Sequence, residues 1–388
     1  MLKTSSSAFS DTKPHYELLD GLRGVAALLV IWYHVFEGFA TSPIDQRFNH
    51  GYLAVDFFFI LSGFVIGYAY DDRWRTTLTL RGFFRRRLIR LHPMVVLGAV
   101  LGAVSYLVQG SERWDGTPVP LAMVLLALLL NFFLIPVAPG AAHDVRGNNE
   151  MYPLNGPSWS LFFEYIGNIL YALFLRRMPT AFLAFFVGLA GVGLASYSVL
   201  SLSGYGHLGV GWSLIDNNLL GGLLRLLFSF GIGLLMSRVF KPVKVRGAFW
   251  LCTVALAVLF AVPHIGGADA TWQNGIYDAV CTIIVFPCLV YIAASGKTTD
   301  KVSSAVCKFL GDISYPIYIV HYPSMYLYYS WLWKNGYTFS QTWPVALGLF
   351  FGNIILAYAC LKLYDEPVRR WLSRKFMDKK VSTSKHQS

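Results

Sequence analysis

The chain has 388 residues, of which 55% are hydrophobic and only 14% charged, and it carries a formal net charge of +11. A mean hydropathy of +0.50 is too high for a soluble globular domain, because so much apolar surface can be covered only by lipid. The positive balance therefore points to a membrane surface, and no nucleic-acid partner is expected.

Apolar runs of roughly 18 to 22 residues, enough to cross a hydrocarbon core of about 30 Å, recur from end to end. They fall near 22–40, 51–69, 93–109, 119–136, 158–175, 179–202, 218–237, 248–265, 275–294, 309–333 and 343–364. The predicted fold class is an all-α, polytopic transmembrane helical bundle of about ten spans. A polar leader at 1–15 precedes one membrane domain at 16–372, and a basic tail at 373–388 follows it. No small-residue cleavage site closes the first run, so it is read as an uncleaved anchor.

In the first run, Arg23 and His34 are eleven residues apart. At 100° per residue they return to within about 20° of one another on a helix, roughly 16 Å apart along its axis. Taken singly, Arg23 reads as a snorkelling anchor and His34 as an interhelical hydrogen bond. Together they read as a line of polar groups pointing into the bundle. The second run buries Asp56 in an aromatic stretch, where an unpaired carboxylate is costly. A short loop joins the two runs, so Asp56 is expected to meet His34 and orient its imidazole as a general base.

The segment Arg73 to Arg90 then holds seven arginines and no lysine. One reading is an interfacial helix on anionic lipid. The sharper one is a clamp for a phosphate-bearing ligand by Arg87 and Arg90, one turn apart. Three further segments are basic: Arg238 to Arg246 with four Lys and Arg, Lys297 to Lys308 with three, and Arg369 to Lys385 with seven. By the positive-inside rule these segments and both termini are expected in the cytoplasm. Three apolar runs lie between His92 and the pair Arg176 and Arg177, where an even number is needed. Either one of them is re-entrant or the arginine pair marks no cytoplasmic loop.

The fifth run opens on Gly156, Pro157, Ser158 and Trp159, and it buries Glu164, an acid with no use against lipid. Arg225 lies in the seventh run. The tenth carries Asp312, Tyr315 and His321, read with Trp159 as lining a shared polar cavity. The five cysteines, Cys252, Cys281, Cys288, Cys307 and Cys360, show no metal-ligand spacing, and neither a metal nor a disulfide is assigned.

In order along the chain, Leu19 to Gly24 with His34, Val55 to Phe64, Arg87 to Pro93, Pro157 to Leu161 with Glu164, Ser314 to Tyr318 with His321, and the closing Glu366-Pro367 resemble the blocks of the acyltransferase-3 membrane acyltransferases of bacteria. The resemblance covers roughly residues 16 to 372. It implies transfer of an acyl group, usually acetyl, from cytoplasmic acyl-CoA to a hydroxyl of a carbohydrate or cell-surface glycan, in the bacterial cytoplasmic (inner) membrane. It also implies that His34 is the catalytic histidine, with Asp56 and Glu164 as acids of the site, and that Arg23, Arg87 and Arg90 hold the donor. Acyl-CoA is then a co-substrate rather than a tightly bound cofactor. Some members add a soluble hydrolase-like domain, for which the basic tail is too short. The oligomeric state is not legible.

An imidazole fits either form of this chemistry, as a base on the acceptor hydroxyl or as an acylated relay. The rival reading is a secondary transporter that uses the buried charges as a proton or substrate path. Transporters of that kind commonly repeat their halves, and the Arg23 to His34 pattern occurs once. A lipid-binding structural protein leaves the buried charges unexplained.

Overall fold

A computed structural model describes residues 16–298 and 300–377; the polar leader and the tail from 378 lie outside them. The helices are α1 (Glu17–Glu37), α2 (Ala54–Tyr70), α3 (Leu80–Gln109), α4 (Leu121–Phe132), α5 (Ser158–Leu173), α6 (Thr180–Val199), α7 (Asn218–Val239), α8 (Ala248–Ala261), α9 (Thr271–Val280), α10 (Phe286–Ser295), α11 (Lys301–Asn335), α12 (Phe339–Cys360) and α13 (Glu366–Phe376). One π-helical turn each joins α9 to α10 and α12 to α13. Among the described residues there is no strand, only two isolated bridges. The fold is thus an all-α polytopic bundle.

Every apolar run in the sequence corresponds to helix. Among the described residues, eight helical segments are long and apolar enough to cross a membrane. The 35-residue α11 is long enough but more polar, and the 14-residue α8 is shorter. Eight segments thus qualify by length and composition against the ten expected, with α11 and α8 the nearest to making up the difference. The fourth run, 119–136, contains α4, whose 12 residues rise only about 18 Å. It enters the bundle and the chain turns back: Asn131 near its end donates to Ser158 Oγ at 3.2 Å, while Trp114 N, ahead of α4, bonds Arg146 O at 3.2 Å after it. Of the two explanations for the odd number of runs, this geometry fits a re-entrant segment. Its return limb, 133–157, is held by Tyr152 Oη on Leu134 O at 2.7 Å and Met151 N on Trp212 O at 2.8 Å.

Two tight pairs form the centre of the bundle, α1 against α11 and α2 against α7. Glycines allow both approaches. A methyl group on Gly24 would overlap the backbone carbonyl of Leu310, and one on Gly63 that of Phe230, while Gly233 abuts Ile60 O in return. Because backbone cannot yield as a flexible side chain does, Gly24→Ala is expected to cost about 1–3 kcal/mol. A thermal scan of purified protein checks it; an unchanged melting temperature would mean that the two helices are free to part.

The bundle has two unlike ends. One, the basic face, gathers the start of α1, Arg73 to Arg90, Arg176, Arg177, Arg238 and α13. There Arg238 Nε reaches Asp71 at 3.0 Å and also donates through Nη1 and Nη2 to Met178 O and Leu175 O, tying three loops together. The opposite face gathers the end of α1, the loop after α3, the return limb and the end of α11, where Trp114 packs edge-on against Trp333 at 4.9 Å.

Candidate functional site

His34 and Glu37 sit one turn apart near the end of α1, and His34 Nδ1 lies 2.7 Å from Glu37 Oε2. A carboxylate only accepts, so Nδ1 carries the hydrogen of this bond, and in the neutral ring Nε2 is the nitrogen left with a lone pair. Tyr329 on α11 fixes both residues. Its hydroxyl lies 2.7 Å from His34 O and 2.9 Å from Glu37 Oε2. The imidazole packs against Tyr322 at 4.6 Å and His321 at 5.4 Å between ring centres. The result is an imidazole held in one orientation.

The expected partnership of His34 with Asp56 does not form. Asp56 is fully buried and bonds Arg225 of α7, with Nη2 to Oδ2 at 2.7 Å and Nε to both oxygens at 3.1 Å. The reason is helix order: α2 packs along α7, so its carboxylate points to the arginine that α7 supplies. The same guanidinium donates to Val210 O and Tyr52 O, each at 2.8 Å, and faces the Trp159 ring at 5.3 Å. Asp56 and Arg225 together brace the wall beside His34.

That wall bounds a cavity of about 290 Å³ in the half of the bundle nearest the opposite face. His34, Glu37, Glu150 and Arg225 line it, among aromatic rings that include Trp114, Trp159 and Trp333. Of the site residues predicted from the sequence, His34 and Trp159 lie on its lining, joined by Arg225 of the seventh run and by Gly156 and Pro157 ahead of α5. His321 sits just behind, fully buried, with Nδ1 on Ile317 O at 3.0 Å and Nε2 without a partner among the described residues. Behind Tyr52, the buried Asp278 accepts from the Tyr52 hydroxyl at 2.9 Å and from Leu208 N at 2.8 Å, which holds the loop 206–213 in place.

The remaining predicted residues form a second group toward the basic face, so the single shared cavity is two polar regions. Glu164 is five residues past Trp159 on α5, roughly 7.5 Å along the axis. It accepts from Arg87 Nη2 at 2.8 Å and from Ser62 Oγ at 3.0 Å. Arg90 is exposed one turn on, and Arg23 bonds Asp20 at 2.8 Å. Tyr315, expected at the cavity, instead donates to Leu91 O at 2.6 Å and clasps α11 to α3. Asp312 also misses the cavity. Its side chain is 44% exposed and pairs with Lys308 at 2.7 Å, because the long α11 turns that position outward.

Two residues that matter here were missed in the sequence. Glu37 had a signal, since position i+3 from His34 shares its helix face. Glu150 had none, because the irregular return limb carries it to the cavity. Burial pushes its carboxyl up to about 7, against the pull of Arg146 and of hydrogen bonds from Tyr326 and Asn148. Arg146 is itself caged, its guanidinium carbon 3.3 Å from the Tyr326 ring centre and its Nε on Pro153 O at 2.6 Å.

Comparison with known proteins adds the following. Residues 16–362 match the family described as an acyltransferase domain. Protein 2 of the picA locus of Rhizobium radiobacter is 34% identical over 40% of this chain and 80% of its own length. A Staphylococcus aureus protein provisionally named an O-acetyltransferase is 27% identical over 91% of this chain. This chain spans only 57% of that relative's length. An acyltransferase of Streptomyces mycarofaciens is 25% identical over 78% of this chain and 77% of its own length. No solved structure matches.

Proposed function

Because the chain belongs to the acyltransferase-3 family of acyl-transferring enzymes, we propose that it is a membrane O-acyltransferase, moving an acetyl or related acyl group from acyl-CoA to a carbohydrate hydroxyl. The observation that carries this reading is His34, locked by Glu37 and Tyr329 on the wall of a cavity, with arginines gathered at the other end of the same helices.

The donor's phosphates bind at the basic face, where Arg87 and Arg90 offer forked hydrogen bonds and Arg23 adds charge at the start of α1. This face is cytoplasmic by the excess of Lys and Arg, in the inner membrane of a bacterium. The donor's long arm carries its thioester inward past Glu164, and the acceptor sugar occupies the cavity. His34 Nε2 takes the acceptor's hydroxyl proton as the oxygen attacks the thioester carbonyl. A C–O bond forms, the C–S bond breaks, and the leaving thiolate takes the proton back from the imidazolium. The imidazolium is stabilised meanwhile by Glu37, 2.7 Å away. Asp56 acts in this scheme through Arg225, by holding the cavity wall, and Glu164 by holding Arg87.

Protein reconstituted in lipid vesicles with acetyl-CoA and a glycoside acceptor is expected to release thiol in step with acetylated glycoside. No release above vesicles alone would sink the assignment. Arg87→Ala is expected to raise the KM for acetyl-CoA about tenfold, the loss of one charge-assisted hydrogen bond of roughly 1.4 kcal/mol or more. Arg87→Ala with Glu164→Gln controls for the carboxylate that the single change leaves unpaired. A KM at the wild-type value in both variants would return Arg87 to the role of lipid anchor.

A further inference from the structure

The charged groups on the cavity wall are unequally committed. Arg225 is neutralised by Asp56, and its guanidinium also serves Val210 O and Tyr52 O. His34 and Glu37 hold each other. Glu150 is different. Its backbone is pinned beside Ser213 by an isolated bridge. Each carboxylate oxygen receives one hydrogen bond, from Asn148 Nδ2 at 2.7 Å and from the Tyr326 hydroxyl. An oxygen with two lone pairs and one donor has capacity for another. Around it, the indoles of Trp114, Trp159, Trp212 and Trp333 line the same space.

Flat apolar rings beside a fixed acceptor suit a sugar, whose C–H faces stack while its hydroxyls bond. The sign of the wall narrows the class. Two acids, Glu37 and Glu150, face the space, and its one arginine is already paired; Glu150, pushed up to about 7 by burial and pulled down by Arg146 behind it, carries its full charge only above neutral pH. A negative charge placed there meets like charges in a poorly screened interior.

We propose that Glu150 is a specificity-determining acceptor contact that takes a hydroxyl hydrogen bond from an uncharged sugar ring and disfavours sugars bearing a carboxylate or phosphate. This inference rests on the acyltransfer reading of the cavity.

The test uses the full-length protein in vesicles at about pH 8, where Glu150 is mostly ionised, with acetyl-CoA and two acceptors of one shape, 4-nitrophenyl glucuronide and its C6 amide, which is neutral and adds N–H donors. Wild-type kcat/KM is expected to favour the amide by about tenfold or more, the order of a like-charge penalty in an interface. Glu150→Gln, which keeps size and the Tyr326 bond, is expected to shrink that preference to under about threefold. Glu150→Asp, which keeps the charge, is expected to retain it. A general loss of folding would lower both acceptors together and leave the ratio standing. Equal use of both sugars by the wild type, or a preference that survives Glu150→Gln, overturns the inference. Thiol release without acetylation of either sugar overturns it too while sparing the acyl-CoA reading; no thiol release at all overturns both.

Discussion

His34→Ala is expected to lower acyl transfer by about 10³-fold, within the range that a positioned general base contributes, while leaving the protein folded and inserted in the membrane. The imidazole packs against rings on α11 but carries no load between helices that Tyr329 does not also carry, since the tyrosine bonds the His34 backbone oxygen rather than its ring. Removing the ring therefore removes the base and spares the α1–α11 contact. Glu37→Gln should cost less, about 10²-fold, because an amide that turns its oxygen to Nδ1 keeps the tautomer but not the charge that stabilises the imidazolium. Thiol release from acetyl-CoA gives the rate, and the melting temperature in detergent gives the fold. Transfer at the wild-type rate by His34→Ala would remove His34 from the chemistry.

The sequence was most legible where one periodicity governs one helix. The apolar runs located the eight described helical segments long and apolar enough to cross a membrane, and of the two explanations for the odd number of runs between His92 and Arg176, a segment that turns back fits the short α4. Arg23 and His34 do share one helix, α1, with Arg23 near its start and His34 near its end on the cavity lining. Legibility failed where the answer depends on which helices are neighbours. Asp56 was expected at His34 because a short loop joins α1 to α2, yet α2 lies along α7, and glycine contacts such as Gly63 on Phe230 set that pairing. Asp312 was read as polar and therefore inward, although a long helix has an outer face that takes charge readily. Glu150 could not be found from any period, since a non-helical limb of the re-entrant segment delivers it.

The buried pair Asp56 and Arg225 yields the largest expected effect on stability. Both side chains are wholly buried, so each single change leaves the other charge without its counter-ion. Asp56→Leu and Arg225→Met are each expected to destabilise by about 3–5 kcal/mol. The double variant should regain much of this, because an apolar pair needs no counter-ion, and the non-additivity measures the coupling. Recovery will be partial, since Val210 O and Tyr52 O also lose the guanidinium that they accept from. Melting temperatures of the four proteins in one detergent complete the cycle, and strictly additive losses would show that the two side chains act independently. The same four proteins separate a chemical from a structural part for Asp56. Acyl transfer that returns with stability in the double variant assigns the acid to holding Arg225 and the cavity wall. Stability that returns without transfer would assign it, or the arginine it holds, to the reaction itself, beside His34 rather than behind it.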